Sequence, residues 1–212
     1  MKKLNSLVSG FNSFRKQYFE TDVKLFDTLS TSGQSPHTLV IACSDSRIDP
    51  ALIFGAEPGD LFVVRNVANL VSEYSPTDTP NSASTAIEYA VRDLGVSHIL
   101  VLGHAQCGGI QAACKHAEGA DLSSRDFLES WVGLAQIAIQ DELSKNEPET
   151  LARRAEQASI KQSVKNLQSF PWIADKLAAG TVSIDGWWFD LSAGALWALD
   201  SDHADFQQIS GA

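Results

Sequence analysis

The sequence predicts an α/β fold: a mainly parallel β-sheet of four to five strands flanked by helices, with an N-terminal helical arm. Three observations carry this reading. Short apolar runs rich in branched residues recur at 38–42, 61–65, 98–102 and 181–184, and runs of that length bounded by turn residues suit strands covered on both faces. Segments with apolar spacings of three and four lie between them, the alternation expected when parallel strands are joined by helices. The chain has 212 residues and is 44% hydrophobic, which is enough for a single domain over 1–212 with a sizeable core.

The arm is residues 1–32, where Leu4, Leu7, Val8, Phe11, Phe14, Phe19, Val23, Leu25, Phe26 and Leu29 set a helical period. It is read as one or two amphipathic helices, packed either on a partner subunit or on its own domain. Ser32-Gly33-Gln34-Ser35-Pro36 is a loop. The first strand follows at 38–42, and the segment from Asp45 to Pro50 turns away from it. Glu57-Pro58-Gly59-Asp60 is a turn into the second strand, Leu61 to Arg65. Residues 70–80 are a polar connection, after which Thr79 is the expected cap and Pro80 the first turn of a helix that Gly95 ends. The third strand is 98–102, and Cys107 to about Ala117 reads as helix. Residues 122–179 are helical by spacing; 181–184 is a fourth strand, and Trp187, Trp188, Phe189 and Leu191 read as a further edge strand.

Charge excludes some partners. There are 16 Lys and Arg against 26 Asp and Glu, a net charge of −10, and the basic residues are scattered. Nucleic-acid binding relies on clustered cations and is not expected. No window reaches the roughly 18 apolar residues of a membrane span, and Asn5, Ser6, Ser9 and Gly10 interrupt any leader-like apolar run after Met1-Lys2-Lys3. Three cysteines without a disulfide-style spacing fit a reducing compartment. The expectation is a cytoplasmic protein.

Two of the strands end in loops that carry metal-ligand types. Thr38-Leu39-Val40-Ile41-Ala42 runs into Cys43-Ser44-Asp45-Ser46-Arg47, and His98-Ile99-Leu100-Val101-Leu102 runs into Gly103-His104-Ala105-Gln106-Cys107-Gly108-Gly109. In a parallel sheet both loops fall on the C-terminal edge, where sites gather. Two thiolates and an imidazole suit Zn2+, and three protein ligands leave a fourth tetrahedral position for water. An open zinc site supplies hydroxide near neutral pH, which points to hydration or hydrolysis. Cys114 lacks such surroundings and reads as a core or helix-face residue. Asp45 and Arg47 admit two readings: a dyad in which Arg47 fixes the carboxylate by bidentate hydrogen bonds, or an Asp45 that closes the zinc site as fourth ligand.

Cys-x-Asp-Ser-Arg after one apolar strand, then His-x-x-Cys-Gly-Gly after another, resembles the β-class carbonic anhydrases. Glu57-Pro58-Gly59, Arg65-Asn66-Val67-Ala68-Asn69-Leu70, Ile87-Glu88-Tyr89-Ala90-Val91 and Asp185-Gly186-Trp187 stand in family order, so the likeness covers roughly residues 30 to 198. It implies a zinc-binding core over 36–198, with one Zn2+ held by Cys43, His104 and Cys107 and with water or Asp45 in the fourth place. It implies reversible hydration of CO2 to bicarbonate, a catalytic Asp45–Arg47 pair, and a substrate pocket of Gln34, Phe62, Val67 and Tyr89 in which the Gly108 N–H steadies an anion. Some bacterial members carry an inhibitory bicarbonate pocket of Trp, Arg and Tyr. Arg65 matches its Arg, whereas Val40 and Phe189 stand at the other two positions, so Asp45 is expected to pair with Arg47 and leave water on the metal.

In carbonic anhydrases with three-histidine sites the zinc-bound water ionises at about 7. Two thiolates donate more charge, so activity here is expected to favour alkaline pH. His98 and His116 flank the metal loops, but the proton shuttle is not assigned to either. The resemblance also implies a homodimer or homotetramer. Competing readings are a carbon disulfide or carbonyl sulfide hydrolase of the same fold, a non-catalytic zinc-bearing bicarbonate or redox sensor, and a structural zinc protein with Asp45 as permanent fourth ligand.

Overall fold

A computed structural model describes residues 2–21, 23–76, 81–145, 150–200 and 205–211. Among these, six strands form one sheet: β1 (Thr38–Cys43), β2 (Leu61–Asn66), β3 (His98–His104), β4 (Ser183–Asp190), β5 (Ala195–Leu199) and β6 (Phe206–Ser210). Their spatial order is β2-β1-β3-β4-β5-β6. β1 pairs in parallel with β2 and β3, and β3 pairs in parallel with β4, while β5 and β6 add antiparallel. The sheet is therefore mainly parallel, with one or two more strands than the apolar runs indicated. Chain direction across the sheet reverses at β1, since β2 lies on one side of it and β3 on the other. That reversal opens a crevice at the C-terminal ends of β1 and β3.

The central strands read as continuous apolar runs because both faces are covered. Leu39 and Ile41 point into one core layer with Ile99, Val101, Ile87 and Val91, while Val40 and Ala42 point into the other with Leu100, Leu102 and Ile48. This is the two-residue alternation of a strand buried on both faces.

The helices are α1 (Lys2–Lys16), α2 (Val23–Ser32), α3 (Pro50–Phe54), α4 (Ser82–Glu88), α5 (Gly108–Ala117), α6 (Leu128–Val132), α7 (Gln136–Leu143), α8 (Leu151–Gln168) and α9 (Pro171–Ala178). Asp49 caps α3 by accepting the Ala51 and Leu52 N–H groups. For α4 the expected cap Thr79 and first-turn Pro80 lie outside the described residues; the helix begins at Ser82, with the Asn81 side chain accepting the Ser84 N–H at 2.8 Å. A wider turn over Tyr89–Asp93 continues it to the left-handed Gly95.

The expected break between a fourth strand at 181–184 and an edge strand at 187–191 is absent. β4 runs unbroken from Ser183 to Asp190, because Gly186 is not a turn. A Cβ there would lie 2.8 Å from Ile160 Cγ2, so the missing side chain is what lets α8 lie flush on the sheet.

The arm folds as α1, a wide turn at Gln17–Thr21 and α2. Its aromatics pack on one another: Phe14 lies 5.5 Å and Phe19 4.9 Å from Phe26, ring centre to ring centre. Leu4, Leu7, Val8 and Phe11 stay more than half exposed in the single chain.

Candidate metal centre

Cys43 is the last residue of β1 and His104 the last of β3. Ala42 pairs with Leu102, so the parallel register alone delivers both ligands to the same crevice. Cys107 follows one turn later and opens α5. The three ligand atoms all lie within 4.8 Å of one another, all buried. The two sulfurs are 3.8 Å apart, matching the edge of about 3.8 Å that a tetrahedron with Zn–S bonds near 2.3 Å would have.

Two further observations test whether a cation fits. The His104 Nδ1–H donates to the Ala105 carbonyl at 2.8 Å. That fixes the tautomer and leaves Nε2 as a lone-pair donor facing the sulfurs. Nε2 is buried and has no hydrogen-bond partner, an uncommon state for a polar atom unless something else satisfies it. The thiols tell the same story. Hydrogen bonding from Cys107 holds Cys43 far below the usual thiol range, and the contact with Cys43 together with burial pushes Cys107 up. Two adjacent thiolates repel, so both protons leave only when a cation takes their place. For His104, burial acts downward, but the Cys43 sulfur, the Ala105 carbonyl and Asp45 outweigh it and raise its pKa. Cys114 is outside the donor group, and burial pushes its thiol up to about 11.

Asp45 and Arg47 form the dyad. Asp45 Oδ1 accepts the Arg47 backbone N–H and Nε–H, both at 2.9 Å, and Oδ2 accepts Nη2–H at 2.7 Å. The Arg47 hydrogen bonds hold the carboxyl well below its ordinary range. Oδ2 lies 4.0 Å from His104 Nε2, so the carboxylate borders the donor group while remaining bound to Arg47. Arg47 Nη2 also donates to the Gln106 carbonyl at 3.1 Å, tying the two ligand loops together. Arg65, reaching from β2, donates to the Cys43 carbonyl at 2.9 Å and the Asp45 carbonyl at 2.7 Å.

The expected substrate residues separate into two groups. Val67 borders the metal loop, since a Cβ on Gly109 would sit 2.7 Å from Val67 Cγ1, and Gly108 is exposed with open space beside it. Gln34, Phe62 and Tyr89 are elsewhere. Phe62 pairs with Leu39, four residues before the Cys43–Asn66 pair, a separation of about 13 Å along the strands. Tyr89 packs on Phe62 with ring centres 5.9 Å apart, and Gln34 is exposed in the loop leading into β1. One chain does not bring these three to its own donor group.

Sequence reasoning missed Glu156. It is 3% exposed, on α8, and accepts the Cys107 backbone N–H at 3.1 Å. Burial raises its pKa. Its local sequence, Arg153-Arg154-Ala155-Glu156, reads as a solvated charge run. Arg154 is buried too, with Nε 3.3 Å from Glu142 Oε2, so this helix turns charge inward and the sequence gives no sign of it.

A sulfur–sulfur–nitrogen donor set at the carboxyl edge of a parallel sheet, bordered by a fixed carboxylate, defines a metal-binding α/β enzyme core. Residues 38–196 match the family model described as carbonic anhydrase. The chain is 36% identical to the mitochondrial beta carbonic anhydrase 6 of Arabidopsis thaliana over 96% of its own length and 70% of that protein. It is 35% identical to a carbonic anhydrase of Pseudomonas aeruginosa over 98% and 92% of the two chains. The structure of the β-carbonic anhydrase CcaA superposes with a TM-score of 0.88 at 34% identity, covering 98% of this chain and 100% of that one. A tetrameric β-carbonic anhydrase from Sordaria macrospora superposes with a TM-score of 0.80 at 28% identity, covering 98% and 100%. This chain belongs to the β-class carbonic anhydrases and is an enzyme of that class.

Proposed function

We propose that this protein is a zinc-dependent carbonic anhydrase that interconverts CO2 and bicarbonate, with Cys43, His104 and Cys107 as ligands. The observation that carries the reading is the buried, partnerless His104 Nε2 facing two sulfurs 3.8 Å apart. When bound, zinc supplies Lewis acidity and lowers the pKa of a water in the fourth position.

The protein's own groups do the rest. Asp45 offers a carboxylate lone pair beside the donor group and orients the attacking water; Arg47 keeps that carboxylate ionised and off the metal. The Gly108 N–H, at the open start of α5, steadies the anion as charge develops on oxygen. Engagement of Asp45 by Arg47 supports a catalytic over a purely structural zinc site, which would need a fourth side-chain ligand.

Phe62 lies about 13 Å along the strands from the Cys43 end, Tyr89 packs on it and Gln34 stands in the loop before β1, so we assign all three to the donor group of a second copy. There they form the apolar wall that receives a small linear molecule. The exposed Leu4, Leu7, Val8 and Phe11 of the arm support the same assembly, a homodimer or a homotetramer, the Sordaria macrospora protein being described as tetrameric. The cytoplasmic reading belongs to this proposal and rests on three free cysteines.

The test is stopped-flow CO2 hydration across pH, with metal content measured on the same sample. One zinc per chain and a rate rising toward alkaline pH are expected. Absence of stoichiometric metal, or release of sulfide from carbon disulfide outpacing CO2 hydration, overturns the assignment.

A further inference from the structure

We propose that Glu156 is a positioning residue for the metal centre, holding Cys107 through its backbone, and that only a side chain accepting hydrogen bonds at both ends can do so in this chain because Trp188 occupies its second oxygen. This rests on the zinc reading above.

Glu156 Oε1 accepts the Cys107 N–H at 3.1 Å, and Oε2 accepts the Trp188 indole N–H at 3.2 Å. Both donors are buried, Cys107 at 1% and Trp188 at 2% exposure. Two N–H groups on two separate oxygens require a group that accepts at both ends. An amide has one accepting oxygen and would set its NH2 against one of the donors, leaving a buried clash of hydrogens.

The depth at which Glu156 sits follows from packing. Ile160, one turn further along α8, contacts the sheet where Gly103 and Gly186 lack side chains; Cβ atoms there would come within 2.6 Å and 2.8 Å of it. Gly103 directly precedes His104. The same close approach that seats α8 on β3 and β4 therefore brings a carboxylate under the second ligand loop. Trp188 is fixed from its other side, with the Arg153 guanidinium carbon 4.7 Å from its ring centre, so it cannot swing away to accommodate an amide.

Cys107 is the residue from which α5 starts. Its sulfur is placed by the orientation of the Gln106–Cys107 peptide, whose carbonyl accepts the Arg47 Nη2–H while its N–H is held by Glu156. Outer-shell groups of this kind typically contribute about 10- to 100-fold in metal affinity.

The experiment compares the wild-type protein with E156Q, W188F and the double variant E156Q/W188F. Zinc affinity is read by competition with a chromophoric chelator, the thiolate-to-metal absorption band is read on the cobalt-loaded proteins, and thermal unfolding is read on the metal-free forms. E156Q is expected to weaken zinc about 10- to 100-fold and to shift the cobalt band. W188F leaves both near wild type. The double variant, in which the amide oxygen is free to face Cys107 and its NH2 meets no donor, recovers affinity to within about threefold. Unchanged zinc affinity in E156Q, or a double variant as weak as E156Q, overturns the proposal. If E156Q does not fold, the double variant decides alone by the same threefold limit. A wild-type protein that takes up no zinc refutes the proposed function instead, so the two failures are distinct.

Discussion

Replacing Gly103 by Ala puts the link between packing and the metal loop under direct strain. The new Cβ would lie 2.6 Å from Ile160 Cδ1 and 2.8 Å from Cγ1, against a comfortable carbon–carbon separation of about 3.5–4.0 Å. Something must move by about 1 Å. Ile160 is fully buried in the main core cluster, so it has no empty space to enter, and overpacking of this kind costs about 1–3 kcal/mol. The relief available is for α8 to lift from the sheet, which would stretch the 3.1 Å contact between Glu156 and Cys107. Urea unfolding of the metal-free protein should show a lower midpoint with an unchanged slope. Ile160→Val removes the nearer clashing atom at a cost of about 0.5–1.5 kcal/mol of its own. The pair G103A/I160V should therefore be no less stable than G103A alone, a clear departure from additivity. Strict additivity would refute the idea that these two side chains contend for one space.

Other perturbations probe the site itself. Cys43→Ala, His104→Ala and Cys107→Ala should each lose stoichiometric metal and CO2 hydration together, measured by elemental analysis and stopped flow on one sample. Asp45→Asn should keep its metal and lose about 100-fold or more in turnover, the scale of a lost proton-accepting group; full activity in that variant would remove the dyad from the reaction. Asp45 has its folded pKa depressed, chiefly by the Arg47 hydrogen bonds. Its contribution to stability is thus complete above the ordinary carboxylate value of about 4 and is lost as pH falls below that toward the folded value. The stability difference between the native protein and Asp45→Asn, read by urea unfolding, should be flat from about pH 5 to 8 and shrink below about 4. Cys114→Ala should leave metal content and turnover unchanged, because Cys114 stands outside the donor group.

The parts of this molecule written in contiguous residues were legible in the sequence. Leu39–Cys43 and Ile99–His104 are buried on both faces, so their strands show as unbroken apolar runs, and the ligands at their ends follow. Patterns that serve two purposes were misread. Asp185-Gly186 has turn chemistry, yet Gly186 lies mid-strand because Ile160 needs its space. β6 carries Gln207, Gln208 and Ser210 on an exposed edge, so it lacks the apolar signal of the interior strands. In the site, the donor residues announced themselves by type and spacing. Glu156 did not, since a carboxylate in a charged helical stretch looks the same whether it faces water or a buried N–H. Nor can residue types say where a wall residue falls relative to the donor group: Gln34, Phe62 and Tyr89 are of the expected kinds, and only the register shows that Phe62, with Tyr89 packed on it, lies toward the far end of β1.

Arg65 has a thermodynamic consequence. Its guanidinium spans two carbonyls of the first ligand loop, those of Cys43 and Asp45, while the Ser44 N–H is already bonded to the Asn66 carbonyl at 2.8 Å. Part of the loop's conformational entropy is thereby surrendered to contacts that do not involve the three donor atoms. Small zinc modules spend much of their ion's binding energy on ordering the chain. Here part of that ordering is carried by hydrogen bonds within the protein that no ion has to supply, so less of the coordination energy goes into arranging the chain and more into holding the ion.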